Sequence, residues 1–373
     1  MQFAALSSVK ARVTTGAPLP FNVYAADGTL LLAKGQWVHT GDELGALFER
    51  GLLVDVSEVL SEGELLRQLP RDRLPERWAH VMNGVAQAMR DAPHIGFQKT
   101  LDDVATPVVA LIERDPDLAI FQILRQEGGL AMVYGVRRSL DSAITAYLVA
   151  QRLSWSLDDK TKAFKVALTM NVSMVELQGV LARQTILPTD AQREEIRTHP
   201  ARSREMLELA GIMDSDWLAA VEMHHDPKAP VDRPPVRESA RDLASLARRA
   251  EIYTAKLASR ERRAALAADI AGRQMFAQDP GNSMTAALIK EFGVYPPGCY
   301  VRLTSGAIGV VVERGPTVTT PTVACITLPD GGPVAKPFRV ETTTPEHQIV
   351  GIVGEHGINM HITAEKLLAL TAR

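Results

Sequence analysis

Thr198-His199-Pro200 and, further along, Met223-His224-His225-Asp226 are the two stretches on which the reading of this chain turns. Ahead of the first, Thr189 to Gln192 is a capping-box pattern, with Pro188 before it and an acidic first turn after it. It predicts a helix running to about His199, where Pro200 starts the next element. Asp216 to His225 reads as a second helix, stopped by Pro227, Pro230, Pro234 and Pro235, a run that cannot be helix. Each predicted helix therefore ends in imidazole. Neutral imidazole is a good ligand for borderline transition metals, so two helix ends bearing three histidines form a candidate metal cluster.

Outward from these stretches the helical pattern continues. Leu140, Ala143, Ile144, Tyr147 and Leu148 recur at helical spacing and predict one buried helix face. Leu243, Leu246, Ala247, Ala250, Tyr253, Thr254 and Leu257 mark another long helix. Residues 61–292 read as helical throughout. Residues 1–60 read differently: Phe21 and Val23 alternate before Asp27-Gly28, and Leu30 and Leu32 after it, which is a hairpin signal. Gly41 to Arg50 reads as a short helix and Leu52 to Val56 as a returning strand. This module is too small to carry much chemistry and reads as an interaction or dimerisation unit. Beyond Tyr295-Pro296-Pro297-Gly298 the period is two again. Val301 and Leu303 alternate, Ser305-Gly306 turns, Ile308, Val310 and Val312 alternate, and strands around Val323 to Leu328 lead to Asp330-Gly331-Gly332. Residues 293–373 form a small β-rich module.

Composition excludes several classes. The 373 residues are 46% apolar and 23% charged, which is the balance of a globular protein. A net charge of −3 gives no support for binding a nucleic-acid polymer or an acidic membrane. Two cysteines, Cys299 and Cys325, make no disulfide framework, so a reducing compartment is the default. Both are read as buried strand residues. No signal peptide and no membrane span are visible, and a cytoplasmic protein is expected.

Together these stretches resemble the HD-GYP family, the cyclic di-GMP phosphodiesterase branch of the HD phosphohydrolase superfamily. Ile112-Glu113-Arg114-Asp115-Pro116-Asp117 looks like the family's lead-in helix. Tyr134 to Ala143 is similar to a stretch that normally reads Tyr-x-x-His-Ser-Val-x-Val-Ala. Ala167 to Met174 falls where the family has Leu-Leu-His-Asp-Ile-Gly-Lys. The His199 and His224-His225 stretches match at family spacing, and Ala250-Glu251-Ile252-Tyr253 falls where Ala-Asp-x-Phe stands. Val294 to Gly298 and Gly306 to Val312 look like the C-terminal extension. The resemblance implies a mainly α protein, an all-helical HD-type bundle flanked by the two β-rich modules.

It also exposes departures. Arg138 stands at the first ligand histidine, Met170 and Asn171 at the His-Asp pair, and Met174 at the lysine that faces substrate phosphate. Glu251 replaces the later ligand aspartate, and Pro227 to Pro235 replaces the Gly-Tyr-Pro motif. His199, His224 and His225 survive as conventional ligands, with Glu251 a candidate fourth. A neutral asparagine cannot bridge two cations as a carboxylate does. Arginine stays protonated, so Arg138 brings fixed charge to a metal's place, where it is expected to pair with Glu251 or Asp141.

Structural alternatives stand beside these readings. His199 reads equally as a helix-end histidine bonded to backbone. His224-His225 reads as a pair drawn to the negative end of a helix dipole. Asp226 reads as a turn residue. Met170 and Met174 read as apolar packing over the old site. Arg137, Arg138, Lys160, Lys162 and Lys165 read as a solvated basic face or a phosphate-attracting patch.

The expectation is a catalytically degenerate HD-GYP-like signalling protein, a pseudoenzyme that binds a protein partner or cyclic di-GMP. It is expected to have no cofactor, and homo-oligomerisation is left open. Its rival is a residual phosphodiesterase using divalent iron, manganese or zinc at His199, His224, His225 and Glu251. A purely structural scaffold is the third reading.

Overall fold

The computed structural model describes residues 3–49, 52–90, 93–125, 134–227, 238–259, 261, 264–354 and 362–371. Most of the proline run after Pro227 lies outside them, in 228–237. The chain divides into two compact units, Met1–Leu69 and Pro70–Arg373.

The first unit holds β1 (Phe3–Ala5), β2 (Ala17–Pro18), β3 (Val23–Tyr24), β4 (Leu30–Leu32), β5 (Trp37–Val38), α1 (Gly41–Glu49), β6 (Leu53–Asp55), α2 (Val56–Val59) and α3 (Glu62–Arg67). Its main sheet runs β1-β6-β3-β4, all antiparallel. The Asp27-Gly28 turn is present as read. Gly28 has φ +84, which favours glycine, and Asp27 Oδ1 accepts the Thr29 N–H at 2.9 Å. Leu6, Leu19, Phe21, Val23 and Val54 form its small core.

The second unit is mainly helical. It contains α4 (Leu74–Ala88), α5 (Phe97–Arg114), α6 (Pro116–Arg125), α7 (Tyr134–Arg152), α8 (Leu157–Thr169), a short 3-10 turn (Val172–Met174), α9 (Val175–Arg183), α10 (Asp190–Leu209), α11 (Ser215–Met223), α12 (Glu238–Leu257), α13 (Ala268–Gln278) and α14 (Ser283–Phe292). Then follow β7 (Tyr300–Leu303), β8 (Ile308–Glu313), β9 (Thr322–Thr327), β10 (Pro333–Glu341), β11 (Ile349–Ile352) and α15 (Ala364–Thr371). The five strands form one antiparallel sheet in the order β10-β9-β8-β7-β11 around Val301, Leu303, Val311, Val323 and Cys325. A mainly α chain flanked by β-rich segments is what the sequence implied. Among the described residues no helix is long and apolar enough to cross a membrane.

Helix α7 is the axis of this unit, packed by α8, α9, α12 and α14. The expectation of a single buried face understates it, because every residue from Gly135 to Ala150 is buried. Some of its polar residues pair within the helix, as Arg137 does with Asp141, and others reach a neighbouring helix, as Arg138 does on α12, which periodicity cannot reveal. Gly135 permits the closest approach, since a Cβ there would fall 2.2 Å from the Val175 carbonyl oxygen of α9.

Two further expectations need correction. Helix α10 does not stop at His199 but continues through Pro200 to Leu209. The predicted capping box at its start is present, with Thr189 N–H donating to Gln192 Oε1 at 2.9 Å. Cys325 is buried in β9, but Cys299 precedes β7 and is only half-buried.

Candidate functional site

Four elements bring the singled-out residues together. His199 lies inside α10, and His224 caps the C-terminus of α11 with His225 next. Glu251 comes from α12, while Met170 and Asn171 end α8. Contacts of α11 with α10 and α12, and of α10 with the turn after Asn171, assemble them. Among the described residues, His199, His224 and His225 are the group whose ligand atoms all lie within 4.8 Å of one another. His199 and His224 are wholly buried, and His225 is exposed.

Local backbone chemistry aims the two buried rings. Proline has no N–H, so Pro200 cannot donate to the carbonyl four residues before it, that of Ile196. His199 Nδ1 takes that carbonyl instead, donating at 2.6 Å. Val221 lies in the last turn of α11, where carbonyls run out of helical donors. His224 Nδ1 donates to it at 2.7 Å. Both rings thereby carry their proton on Nδ1, leaving a bare lone pair on each Nε2. The two Nε2 atoms face each other at 3.2 Å.

Protonation does not relieve that contact at neutral pH. Burial pushes the His199 pKa down from 6.5 to about 4, with the charges of His224 and His225 adding to it against Glu251. Burial likewise lowers His224 to about 3, helped by His225. The His225 pKa is lowered too, by the water its ring loses on the side facing the cluster and by Arg248, although the residue as a whole is exposed, while Glu251 opposes the shift. Arg248 also donates to the His225 carbonyl, tying that residue to α12. Two neutral rings with opposed lone pairs are therefore held together at a separation that a shared cation satisfies. Nitrogens on one tetrahedral ion at ~2.0–2.1 Å sit about 3.3 Å apart, close to the spacing found. By donor type and spacing, the residues fit a single divalent ion.

The opposite side of the site is built otherwise. Arg138 is buried and its Nη2 donates to the Glu251 carbonyl at 3.2 Å and to Thr254 Oγ1 at 3.1 Å. Its link to Glu251 runs through the backbone, not the carboxylate that the sequence reading proposed. The Asp141 carboxylate is met by Arg137 at 2.9 Å. Burial pushes the Asp141 carboxyl up, with Arg137 and Arg138 opposing. Ser142 joins the network, its hydroxyl 3.1 Å from Thr254 Oγ1. The Glu251 carboxylate accepts Asn171 Nδ2–H at 2.8 Å and stands outside the three-histidine group. Met170 and Met174 are buried.

The basic residues form neither a solvated face nor a phosphate patch. Arg137 and Arg138 are buried. Lys160 meets Glu113 at 3.7 Å over the Tyr147 ring, and Lys162 meets Asp214 at 2.8 Å. Lys165 pairs with Asp102 over the Trp217 ring. His225-Asp226 is the chain's one His-Asp dipeptide, which the sequence reading passed over. It follows α11 rather than ending α8, and Asp226 is exposed.

Sequence reading missed three supports. Ser173 Oγ donates to the His199 carbonyl at 3.0 Å and meets Ser203 Oγ at 2.9 Å, fastening the turn after α8 to α10. Its partners are remote in sequence, so no local signal marks it. Thr254 and Ser142 are equally unmarked. The Ile196 carbonyl, by contrast, was available from Pro200 alone.

No protein-family model matches the chain, and no curated protein matches it. Among solved structures it is similar to Bd1817, described as an HDG"Y"P protein from Bdellovibrio bacteriovorus, at 12% identity and a TM-score of 0.45. That likeness covers 77% of this chain and 98% of Bd1817.

Proposed function

We propose that this chain is a catalytically degenerate HD-GYP-like signalling protein that holds one divalent ion at His199, His224 and His225 and acts by binding. The observation that carries the reading is the pair of bare Nε2 atoms 3.2 Å apart, each ring pinned by its Nδ1–H. A divalent ion there would act as a Lewis acid on a bound water or an anionic ligand. The residues opposite argue against a second ion. Arg138 supplies a fixed positive charge, its Nη2 held by a carbonyl and a hydroxyl oxygen, and Asn171 has no charge to share between two cations. A two-ion hydrolysis would lack both its bridge and its second site.

Between the two kinds of ligand, Met174 favours a protein partner over cyclic di-GMP. It is buried and apolar where a phosphate-gripping lysine would stand. Cys325 is a buried free thiol, suited to the reducing cytoplasm in which we place the protein. A second reading, a residual phosphodiesterase, draws on the exposure of His225, which leaves one side of the cluster open to solvent.

Metal content and cyclic di-GMP turnover of the whole chain, purified without chelator and without oxygen, separate these readings. One equivalent of iron, manganese or zinc without turnover is expected. One equivalent with turnover would favour the residual phosphodiesterase. Two equivalents with turnover would overturn the degenerate reading, and a metal-free folded chain would overturn the metal site.

A further inference from the structure

We propose that the cleft between α6, the C-terminal ends of α7 and α14 and the loop after β8 binds the phosphate group of a small ligand through Arg152, Lys290 and Arg314. The inference does not depend on the metal reading above. Arg152 ends α7, and Arg138 lies 14 residues before it on the same helix. At 1.5 Å per residue that is about 21 Å along the helix, so the cleft is separate from the histidine site.

The cleft has a volume of roughly 780 Å³, within the range of about 300–1,000 Å³ usual for small-molecule sites. Its walls are fixed to one another. Arg314, just after β8, donates from Nε to Asp117 of α6. Its Nη1 donates to the Glu291 carboxylate of α14 and, at 3.0 Å, to the Glu291 carbonyl. Val294 N–H donates to the Val318 carbonyl at 2.7 Å, tying the loop to the residues after α14. The loop itself closes tightly at Gly315, where a Cβ would fall 1.7 Å from the Thr320 carbonyl oxygen.

The charge lining the cleft is uneven. Asp117 and Glu291 stand against Arg152, Lys290 and Arg314, two anions against three cations, in a chain whose net charge is −3. A staple joining the helices to the sheet needs no such surplus. Both guanidinium groups are gripped at their Nε edge, Arg152 by Glu291 and Arg314 by Asp117. Among the described residues, no acceptor meets either Nη nitrogen of Arg152 or Nη2 of Arg314. Lys290 is exposed on the same rim. Guanidinium forks already held in place lose little freedom on meeting an oxyanion, and their geometry matches one bidentately. A phosphate group offers three oxygens to these three residues, where a carboxylate offers two. As a monoester it also carries more charge, about −1.5 to −2 at neutral pH.

The test is calorimetric titration of whole chains with inorganic phosphate, ribose 5-phosphate and malonate. Wild type is compared with Lys290→Glu, Arg152→Gln and His224→Ala. Wild type is expected to bind phosphate, more weakly as salt is added. Tighter binding of ribose 5-phosphate would name an organic phosphate as the ligand, equal binding would name the free ion, and either upholds the site. Lys290→Glu should weaken phosphate at least about tenfold, because it sets like charge against the ligand. Arg152→Gln should weaken it about 10–100-fold, the scale of a hydrogen bond to a charged group. Lys290 is exposed, so its variant keeps the test decisive should Arg152→Gln, which strips Glu291 of a partner, fail to fold. His224→Ala should bind phosphate as wild type does, which separates this cleft from an ion at the histidines. The proposal is overturned if wild type takes up neither phosphate at millimolar concentration, or binds malonate as tightly as phosphate. Phosphate affinity unchanged in Lys290→Glu, or lost in His224→Ala, overturns it equally.

Discussion

The histidine side of the site, carried by α10 and the end of α11, and the Arg138 side, carried by α7 and α12, are held in opposite ways. On the histidine side, backbone carbonyls of Ile196 and Val221 take the Nδ1 protons and leave lone pairs facing each other. On the other side, Arg138 donates through Nη2 into the Glu251 carbonyl and Thr254, so the protein itself supplies a fixed positive charge there. One side offers lone pairs to a cation, and the other already contains one. On the single-ion reading proposed above, the contrast teaches that a fixed cation on one side of a site and ligand histidines on the other can stand side by side.

The largest test of this contrast removes the lone pairs. His199→Ala or His224→Ala is expected to abolish stoichiometric metal binding, a loss above about 100-fold, given how much of the binding energy rests on few ligands. His225→Ala, at the exposed edge, should weaken binding by less. Elemental analysis per chain decides it, and a His224→Ala protein that retains a full equivalent would break the comparison.

Acid titration comes next. The buried histidines have folded pKa values of about 4 and about 3, below the ordinary 6.5. The unfolded chain therefore binds more protons between these values, and stability falls as pH drops. At about 1.4 kcal/mol per pKa unit the metal-free chain should lose several kcal/mol as pH falls from 6.5 toward 3. Denaturant midpoints across this range measure it. A midpoint that is flat in wild type, or falls equally in the His199→Ala His224→Ala double variant, would count against two buried neutral rings.

Restoring the missing side is a third test. Arg138→His combined with Asn171→Asp removes the fixed cation and supplies a bridging carboxylate. We expect metal content to rise above one equivalent. No rise would show that these two residues do not set the stoichiometry.

The mildest test is Pro200→Ala. It returns an N–H able to compete with His199 Nδ1 for the Ile196 carbonyl, and we expect metal affinity to fall by only a few-fold, within about 1 kcal/mol. Equal affinity in a well-folded variant would show that Pro200 does not help to orient the ring.

Legibility followed the range of the interactions. The Thr189–Gln192 box, the Asp27-Gly28 hairpin and the strands from Val301 onward are written in neighbouring residues, and the structure has them. The end of α10 was misplaced because Pro200 was taken as a stop, whereas His199 replaces the hydrogen bond that proline forfeits. Helix α7 looked one-sided because the period marks only its apolar positions, and Arg137, Asp141 and Ser142 fall between them. Arg137 and Asp141 satisfy each other, and Ser142 bonds the Arg138 carbonyl and lies beside Thr254. The lysines looked like a patch because their acids, Glu113, Asp214 and Asp102, lie on other elements.

By itself the sequence determined the helices, the strands, their caps and the three histidines, because backbone preference and hydrophobic period act over a few residues. Only the tertiary structure decided what each side chain does there. It turned Glu251 toward Asn171, gave Arg138 a carbonyl and a hydroxyl, and set two Nε2 atoms 3.2 Å apart. Those outcomes depend on distances between helices far apart in the chain, where a shift of one ångström makes or breaks a hydrogen bond.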